Sequence, residues 1–277
     1  MKLFSSTIAV AALVAAAVFN PVAADGATGG EGEKSYGYKE HDSSMYGPSE
    51  WGTQYPTCAG KRQSPIDISL KTSCGDETAK QTAPLSFAGE CSDYKLTESD
   101  DAFKGAVQNG TCTMSAGGKP YSMVQFHIHA PSEHTLNGKA YDGEAHFVHQ
   151  NADGSGLAVV GLFLEKKEDT KTDPWFTTVW DALSNVTPTS SLDAKLGSYS
   201  SLLSAAVSKG KVFNYPGSLT TPVCSEIVDW WVLQQPVQVS SADFEKFQSL
   251  LKKLPATDDG RSARPVQPLN GRTITIY

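Results

Sequence analysis

The sequence predicts a single, mainly β (α+β) domain with a few short helices. Short runs rich in β-branched and aromatic residues recur along the chain, separated by turns of Gly, Asn, Asp and Pro. Helical patterns are few and fall in two segments. The length of 277 residues allows one large core. No internal repeat and no linker-like segment after Tyr36 divides it.

The N-terminus has the pattern of a secretory signal peptide. Lys2 supplies a positive start, Ile8–Phe19 is apolar, and Val22–Ala24 offers small residues for cleavage. A membrane anchor is the alternative, but a spanning helix needs about 20 apolar residues, more than this run contains. No later segment is long and apolar enough to span a bilayer. The chain therefore divides into a signal peptide over 1–24, a disordered Gly- and Glu-rich segment over 25–35 and a folded domain over 36–277.

Four segments are predicted to be strands from their composition and bounding turns: 122–129, 144–149, 157–165 and 227–239. Asp173 and Pro174 form a helix-start signal, and they predict a helix that continues to Leu183. Ser240 and Ser241 precede 242–254, in which phenylalanines and leucines form one apolar stripe. We expect this second helix to pack on a sheet.

Five of the six histidines lie between positions 127 and 149. Because alternate side chains of a strand share a face, Gln125, His127 and His129 point one way. Glu144 and His146 share a face of the next strand by the same rule. If these strands are antiparallel neighbours, three imidazoles meet at one point, as in a catalytic zinc site with an open fourth position. Gln125 and Glu144 are then placed to accept the second ring N–H of the ligands.

The other histidines are interpreted as structural, because an isolated histidine on a strand is more often a packed or surface residue than a ligand. His149 has the wrong parity for the site face, and His134 falls in a predicted turn. His41 is expected to be an exposed loop residue.

The net charge and the spacing of the cysteines argue against several classes of function. The formal net charge is −7 and no cluster of Lys and Arg exceeds two residues, so we expect no nucleic-acid partner. No Cys-x-x-Cys pair occurs, which argues against a cysteine zinc site or thioredoxin-like chemistry. Disulfides are permitted on a secretory route, although an odd number leaves one thiol over. The five cysteines are Cys58, Cys74, Cys91, Cys112 and Cys224. Asn109 and Asn185 begin glycosylation sequons, whose use stays open.

The histidine segments resemble the zinc-site region of the α-class carbonic anhydrases. The resemblance rests first on Gln125–His129, Pro131–Thr135 and Glu144–His149. Further segments resemble motifs of the same family in the same order: Gly47-Pro48 with Trp51, Gln63–Ile68, Tyr215–Pro222, and Arg264–Leu269 with Arg272. Together they cover nearly the whole of the predicted domain.

The resemblance implies a large twisted, mostly antiparallel central sheet with short peripheral helices. It also implies reversible hydration of CO2 to bicarbonate and a proton, by attack of zinc-bound hydroxide. His127, His129 and His146 match the zinc ligands. Thr220 matches the threonine that accepts a hydrogen bond from the hydroxide, and Glu133 the carboxylate that takes the proton of that threonine.

Other residues match family positions around the cleft. Thr221 matches a second, substrate-side threonine, and Cys58 and Cys224 match a disulfide of extracellular members. Four residues match the apolar wall where CO2 lies: Val148, Val159, Leu219 and Trp230. Tyr38, Asn109 and Thr111 match residues of the cleft wall.

The sequence departs from the family pattern in three places. Many members carry a proton-shuttling histidine in an Asn-Gly-His segment, where this chain has Thr111, which cannot titrate near neutral pH. We therefore expect a slower maximal rate that depends on buffer, with His41 in a mobile N-terminal segment as the alternative shuttle. Ser262 replaces a common asparagine, and Tyr36 replaces a common tryptophan two residues before Tyr38. For the remaining cysteines, the hypothesis is a Cys91–Cys112 bridge with Cys74 free.

The sequence leaves two alternatives to a zinc carbonate dehydratase. An inactive binding or adhesion module of the same fold typically loses a zinc ligand, and this chain loses none. A zinc esterase would use the same nucleophile, but as a side activity. The resemblance implies Zn²⁺ as cofactor and sulfonamides or anions as inhibitors. The signal peptide predicts a secreted or extracellular protein, or a periplasmic one in a bacterium, and the oligomeric state stays open.

Overall fold

The computed structural model describes residues 34–69 and 84–277. The predicted signal peptide, residues 25–33 and Cys74 lie outside the described residues. Ser35 belongs to the segment expected to be disordered, but it forms a parallel strand pair with Met45. The expectation of disorder therefore does not hold at this residue.

Strands dominate the described chain. In chain order they are β1 (Ser35–Tyr36), β2 (Met45–Tyr46), β3 (Asp67–Ile68), β4 (Leu85–Ala88), β5 (Cys91–Glu98), β6 (Phe103–Gly110), β7 (Thr113–Ala116), β8 (Lys119–His129), β9 (Thr135–Leu136), β10 (Gly143–Gln150), β11 (Leu157–Lys167), β12 (Leu192–Lys195), β13 (Val212–Gly217), β14 (Val228–Ser240) and β15 (Thr275–Ile276). The α-helices are α1 (Trp51–Gln54), α2 (Pro174–Leu183), α3 (Tyr199–Val207) and α4 (Ser241–Leu251), and Pro56–Ala59 is a short 3-10 helix.

Within the described residues, eleven strands form one central sheet. Its main path runs β12-β5-β6-β8-β10-β11-β14-β13-β15, and β7 joins β4 to β8 beside this path. The pairing of β11 with β14 is parallel, and the other pairs of this sheet are antiparallel. The predicted fold class, mainly β with a large, mostly antiparallel sheet and short helices, is confirmed.

The predicted elements lie where local signals are strongest. The four predicted strands fall in β8, β10, β11 and β14, and the two predicted helices in α2 and α4. Asp173 caps α2 by accepting from the backbone N–H of Trp175 at 2.9 Å. Helix α4 ends at Leu251, three residues before the predicted end. The Thr257 hydroxyl lies 2.9 Å from the Leu251 carbonyl and 3.0 Å from that of Leu254, so it satisfies groups that a longer helix would use.

The two faces of the sheet have different partners. Phe126 and Ile128 of β8, with Phe147 of β10, are buried in one core with side chains of α2, α3 and α4. The intervening side chains point to the opposite face because side chains alternate along a strand. That face carries His127, His129 and His146 and, with Val148, Val159 and Trp230, a second apolar cluster. Packing of the helices on one face thus leaves the other face for the site.

Two disulfides join distant parts of the described chain. Cys58 pairs with Cys224, as the resemblance implied, and Cys91 pairs with Cys112, as hypothesised. Disulfides persist in oxidising compartments and are rare in the cytosol. No helix in residues 34–69 and 84–277 is long and apolar enough to cross a membrane.

Candidate metal centre

The register of β8 and β10 brings three histidines together. His127 lies directly opposite His146, and His129 lies opposite Glu144. One nitrogen from each of His127, His129 and His146 lies within 4.8 Å of the others. His129 and His146 are each 1% exposed. The strand faces predicted from residue parity therefore meet as expected.

Each imidazole is held by a hydrogen bond through its other nitrogen. His127 Nδ1 lies 2.9 Å from Gln125 Oε1, and His146 Nε2 lies 3.0 Å from Glu144 Oε1. The third acceptor is the backbone carbonyl of Ser262, 2.6 Å from His129 Nδ1. If these nitrogens donate, the lone pairs of His127 Nε2, His129 Nε2 and His146 Nδ1 face the common centre. Sequence reasoning missed the Ser262 acceptor because a backbone carbonyl has no sequence signal.

These inward nitrogens fit a bound cation. His129 Nε2 is buried without a hydrogen-bond partner, and His127 Nε2 lies only 3.3 Å from His146 Nδ1. Burial, followed by the neighbouring imidazoles, lowers the pKa of His127 well below its usual range. Burial also lowers the pKa of His146. Three converging imidazole nitrogens, two of them on buried side chains, suit Zn²⁺ in a three-histidine site.

Glu144 is the most heavily bonded carboxylate of the site. It is fully buried and accepts from the backbone N–H groups of Glu133 and His134 at 3.0 and 2.8 Å. It also lies 2.7 Å from His134 Nδ1 and 3.0 Å from His146 Nε2. Burial acts to raise the pKa of Glu144, but the charges and hydrogen bonds of His134 and His146 outweigh burial and hold it well below its usual range.

The histidines interpreted as structural have structural partners. His134 lies between Glu144 and the Tyr215 hydroxyl, which is 2.6 Å from its Nε2. His149 faces the helix side of the sheet, where its Nε2 lies 3.0 Å from the Tyr199 hydroxyl of α3. Burial lowers the pKa of His149 to about 4.

Glu133 lies under the metal centre. Its Oε1 accepts from the backbone N–H of Arg264 at 3.0 Å. Its Oε2 lies 3.4 Å from His129 Nε2 and is buried without a hydrogen-bond partner. Thr220 is 5% exposed and lines the cleft above, yet the hydrogen bonds of the described residues include none between Thr220 and Glu133. The expected contact is thus not formed in this structure, although the acceptor that it requires is free.

A cleft of about 370 Å³ opens over the three histidines. Its apolar wall contains the four residues expected there, and its polar side contains both expected threonines: Val148, Val159, Leu219, Trp230, Thr220 and Thr221. Gln125 lines the cleft as well. Tyr36, Ser99, Asp101 and Lys104 complete the polar side.

Asn109 and Thr111 do not line this cleft, which corrects their assignment to its wall. Lys104 of β6 is the residue opposite His127. Asn109 is five residues further along β6, about 17 Å at the usual strand rise, and pairs with Asp93. Thr111 follows the strand and donates its backbone N–H to the Glu90 carbonyl at 3.0 Å, beside the Cys91–Cys112 bridge. Ser99 and Asp101, in the turn between β5 and β6, line the cleft wall instead.

Tyr38 is also misplaced by the sequence prediction. It is buried against Trp51, with ring centroids 5.7 Å apart, and its hydroxyl has no hydrogen-bond partner. Tyr36 lines the cleft in its place. The motif could not distinguish these tyrosines, because they lie only two residues apart at the end of the short strand β1.

Residues 46–277 match the model of the eukaryotic-type carbonic anhydrase family. The chain belongs to this family. It is 34% identical to human carbonic anhydrase 7 over 269 residues, which cover 88% of this chain and 97% of the relative. It is also 34% identical to a carbonic anhydrase of Klebsiella pneumoniae, over 82% of this chain and 86% of the relative.

A solved structure supports the same assignment. The α-carbonic anhydrase of Thermovibrio ammonificans in complex with the inhibitor sulfanilamide is 32% identical, with a TM-score of 0.70. The match covers 88% of this chain and 99% of that chain. The protein is therefore an enzyme, a carbonic anhydrase. Its membership of this family supports CO2 hydration as its activity. Carbonic anhydrases of this family are zinc enzymes, and the histidine triad can hold that metal.

Proposed function

We propose that the protein hydrates CO2 reversibly to bicarbonate and a proton at a zinc ion held by His127, His129 and His146. The observation that carries this proposal is the convergence of three imidazole nitrogens, one of which is buried without a hydrogen-bond partner. Zinc bound there would lower the pKa of a water molecule to near 7 and so supply the nucleophile, a value for which carbonic anhydrase is itself the reference enzyme.

The protein residues orient the ligands and the nucleophile. Gln125, Glu144 and the Ser262 carbonyl fix the ring nitrogens that do not face the centre. Glu133 Oε2, which is buried without a hydrogen-bond partner, would accept a hydrogen bond from the Thr220 hydroxyl. Thr220 could then only accept from a group at the centre, which favours a protonated group there and aims its remaining lone pair at substrate.

The walls of the cleft suit a small apolar substrate. CO2 needs an apolar surface more than hydrogen bonds, and four wall residues supply one: Val148, Val159, Leu219 and Trp230. We propose that Thr221, on the polar side, contacts the bicarbonate product. A sulfonamide or a small anion would compete for the same space.

The proton produced by each turnover has no histidine to receive it. Among the described residues, the cleft contains no histidine besides the three proposed ligands. This composition supports the proposal that soluble buffer carries the proton away. The reason differs from the one given by the sequence motif, because Thr111 is not at the cleft.

The alternatives lack a supporting observation. A binding module of this fold would have no need for three oriented imidazoles, whose burial without a cation leaves His129 Nε2 unsatisfied. Hydrolysis of activated esters would use the same centre as a side activity. We further propose that the protein is secreted or periplasmic, on the basis of its disulfides and the signal-peptide pattern.

Zinc content, CO2 hydration and sulfonamide inhibition together test the proposal. The expected results are one zinc per chain, a hydration rate above the uncatalysed rate and inhibition by an aryl sulfonamide. His129→Ala should lose zinc and activity together, whereas Glu165→Ala, at a surface ion pair outside the cleft, should keep both. A folded, zinc-free parent without hydration activity would instead indicate a binding module.

A further inference from the structure

The turn that follows helix α2 presents an asparagine to solvent. Asn185 is exposed and lies two residues after the end of α2 at Leu183. Its backbone N–H donates to the Ala182 carbonyl at 3.1 Å, so the turn continues directly from the helix. The next residue, Val186, is only 6% exposed and belongs to the core between the helices and the sheet. The turn is therefore anchored by Val186, with the Asn185 side chain on its outer side.

This turn contains one of the two Asn-x-Thr sequons of the chain. Asn185, Val186 and Thr187 form the sequon, which is the acceptor signal for N-linked glycosylation in secreted proteins. Because the glycan is bulky, the acceptor side chain has to face solvent in the folded protein. Asn185 and Thr187 are both exposed, and residues 188–190 beyond them are exposed as well. The fold therefore leaves space for an oligosaccharide at this turn.

The side-chain amide of Asn185 can keep its structural contact when it is modified. Its Nδ2 donates to the Asp181 carbonyl of α2 at 3.2 Å and lies 3.3 Å from the Ser184 hydroxyl. In glycan transfer, Nδ2 displaces a lipid pyrophosphate from the anomeric carbon of a lipid-linked oligosaccharide. An N–C bond forms, a C–O bond breaks, and one amide proton is released. Because the NH2 group starts with two hydrogens, the one that remains can still donate to Asp181.

The second sequon lies in a more constrained segment. Asn109 is part of strand β6, which is paired with β5. Thr111 donates its backbone N–H to the Glu90 carbonyl at 3.0 Å, and the next residue, Cys112, forms a disulfide with Cys91. Disulfides form on the secretory route, where glycan transfer also takes place, so closure of this bridge would compete with modification of the sequon. The turn after α2 contains no cysteine.

We propose that Asn185 is a site of N-linked glycosylation, with a lipid-linked oligosaccharide as the donor. The inference rests on the proposed secretory route, because the transfer takes place during secretion. The site lies on the helix side of the sheet, since α2 packs on the face opposite the three histidines. A glycan there would leave the cleft open and CO2 hydration unchanged.

Expression of the full chain in a eukaryotic cell line that secretes proteins tests the assignment. The secreted protein should carry the mass of an oligosaccharide, which peptide N-glycosidase removes while it converts the modified asparagine to aspartate. Peptide mapping should place that aspartate in the turn after α2. Asn185→Gln and Thr187→Val should both lose the glycan. Thr187→Ser keeps the hydroxyl of the sequon and should therefore keep the glycan.

Asn270→Gln is the matched control. Asn270 is also an exposed asparagine in a turn, and its Nδ2 donates to the Lys61 carbonyl at 3.2 Å, but no sequon begins there. This variant should keep the full glycan mass. Secreted protein without a glycan at Asn185 would overturn the inference and leave the secretory route standing. Protein that stays in the cytosol with an uncleaved N-terminus would overturn both. Zinc content and CO2 hydration are measured separately, so their failure would count against the proposed activity alone.

Discussion

Replacing Glu144 by glutamine should weaken both the fold and the zinc affinity. The carboxylate accepts four hydrogen bonds at 2.7–3.0 Å in a fully buried position. A glutamine amide keeps one accepting oxygen, and its NH2 group would face donors that it cannot satisfy. If two bonds to the charged group are lost, at about 1.5–3 kcal/mol each, the free energy of unfolding falls by about 3 kcal/mol or more. Since domain stability is about 5–15 kcal/mol, this is a large fraction.

The zinc effect has a separate magnitude and a separate assay. Loss of the partner that orients a ligand histidine typically costs about 10–100-fold in metal affinity. Urea unfolding of the zinc-free protein, followed by tryptophan fluorescence, gives the stability, and competition with a chelator gives the affinity. Glu165→Gln is the matched control, because Glu165 forms a surface ion pair with Lys139 at 3.6 Å, which should contribute at most about 1 kcal/mol. A Glu144→Gln protein with unchanged stability and unchanged zinc affinity would refute the reasoning.

Three further outcomes follow from the structure. The maximal CO2 hydration rate should rise with imidazole concentration, and a rate that is fast and independent of buffer would contradict proton transfer by buffer. Cys58 and Cys224 are 166 residues apart, and Cys91 and Cys112 are 21 apart. Because a disulfide that closes a longer loop restricts the unfolded chain more, replacing the first pair should lower the free energy of unfolding by about 2 kcal/mol more than replacing the second. Equal losses in denaturant unfolding would argue against this entropic account. The folded pKa of His149 is about 4, so the unfolded state binds more protons below about pH 6.5. Stability should therefore fall by about 3 kcal/mol as the pH drops from 6.5 to 4, and His149→Gln should lose that part of the slope.

The convergence of the three histidines could be predicted because it depends on strand parity. Residue alternation alone placed His127 and His129 on one face and His149 on the other, and the register of β8 against β10 agrees. The acceptors Gln125 and Glu144 follow the same parity, two residues before ligands. Strands, and groups of side chains that share one face of a strand, can therefore be predicted from the sequence.

The part of the cleft wall formed near β6 could not be predicted, because it depends on the register between β6 and β8, which are not consecutive in the sequence. The Asn-Gly dipeptide at Asn109 matches a family motif. Because Lys104 is the β6 residue opposite His127, Asn109 lies five residues away from the three histidines along β6. Shifting β6 along β8 by an even number of residues would leave the same side chains on each face. The sequence of β6 therefore does not reveal its register against β8. The same holds for the Ser262 carbonyl, whose role depends on a contact over 133 positions of the chain.

Glu144 couples the proposed metal ligands to Glu133, the proposed hydrogen-bond acceptor beneath them. One of its oxygens orients His146, while the other holds the backbone N–H groups of Glu133 and His134. The position of the Glu133 carboxylate, whose free oxygen is proposed to accept from Thr220, therefore depends on the same buried charge that aligns a ligand. A substitution that only weakened zinc binding would be rescued by excess zinc. We expect Glu144→Gln to remain slow in excess zinc, because the backbone that carries Glu133 would still lack its anchor; full recovery of kcat/KM would show that the two functions are separable.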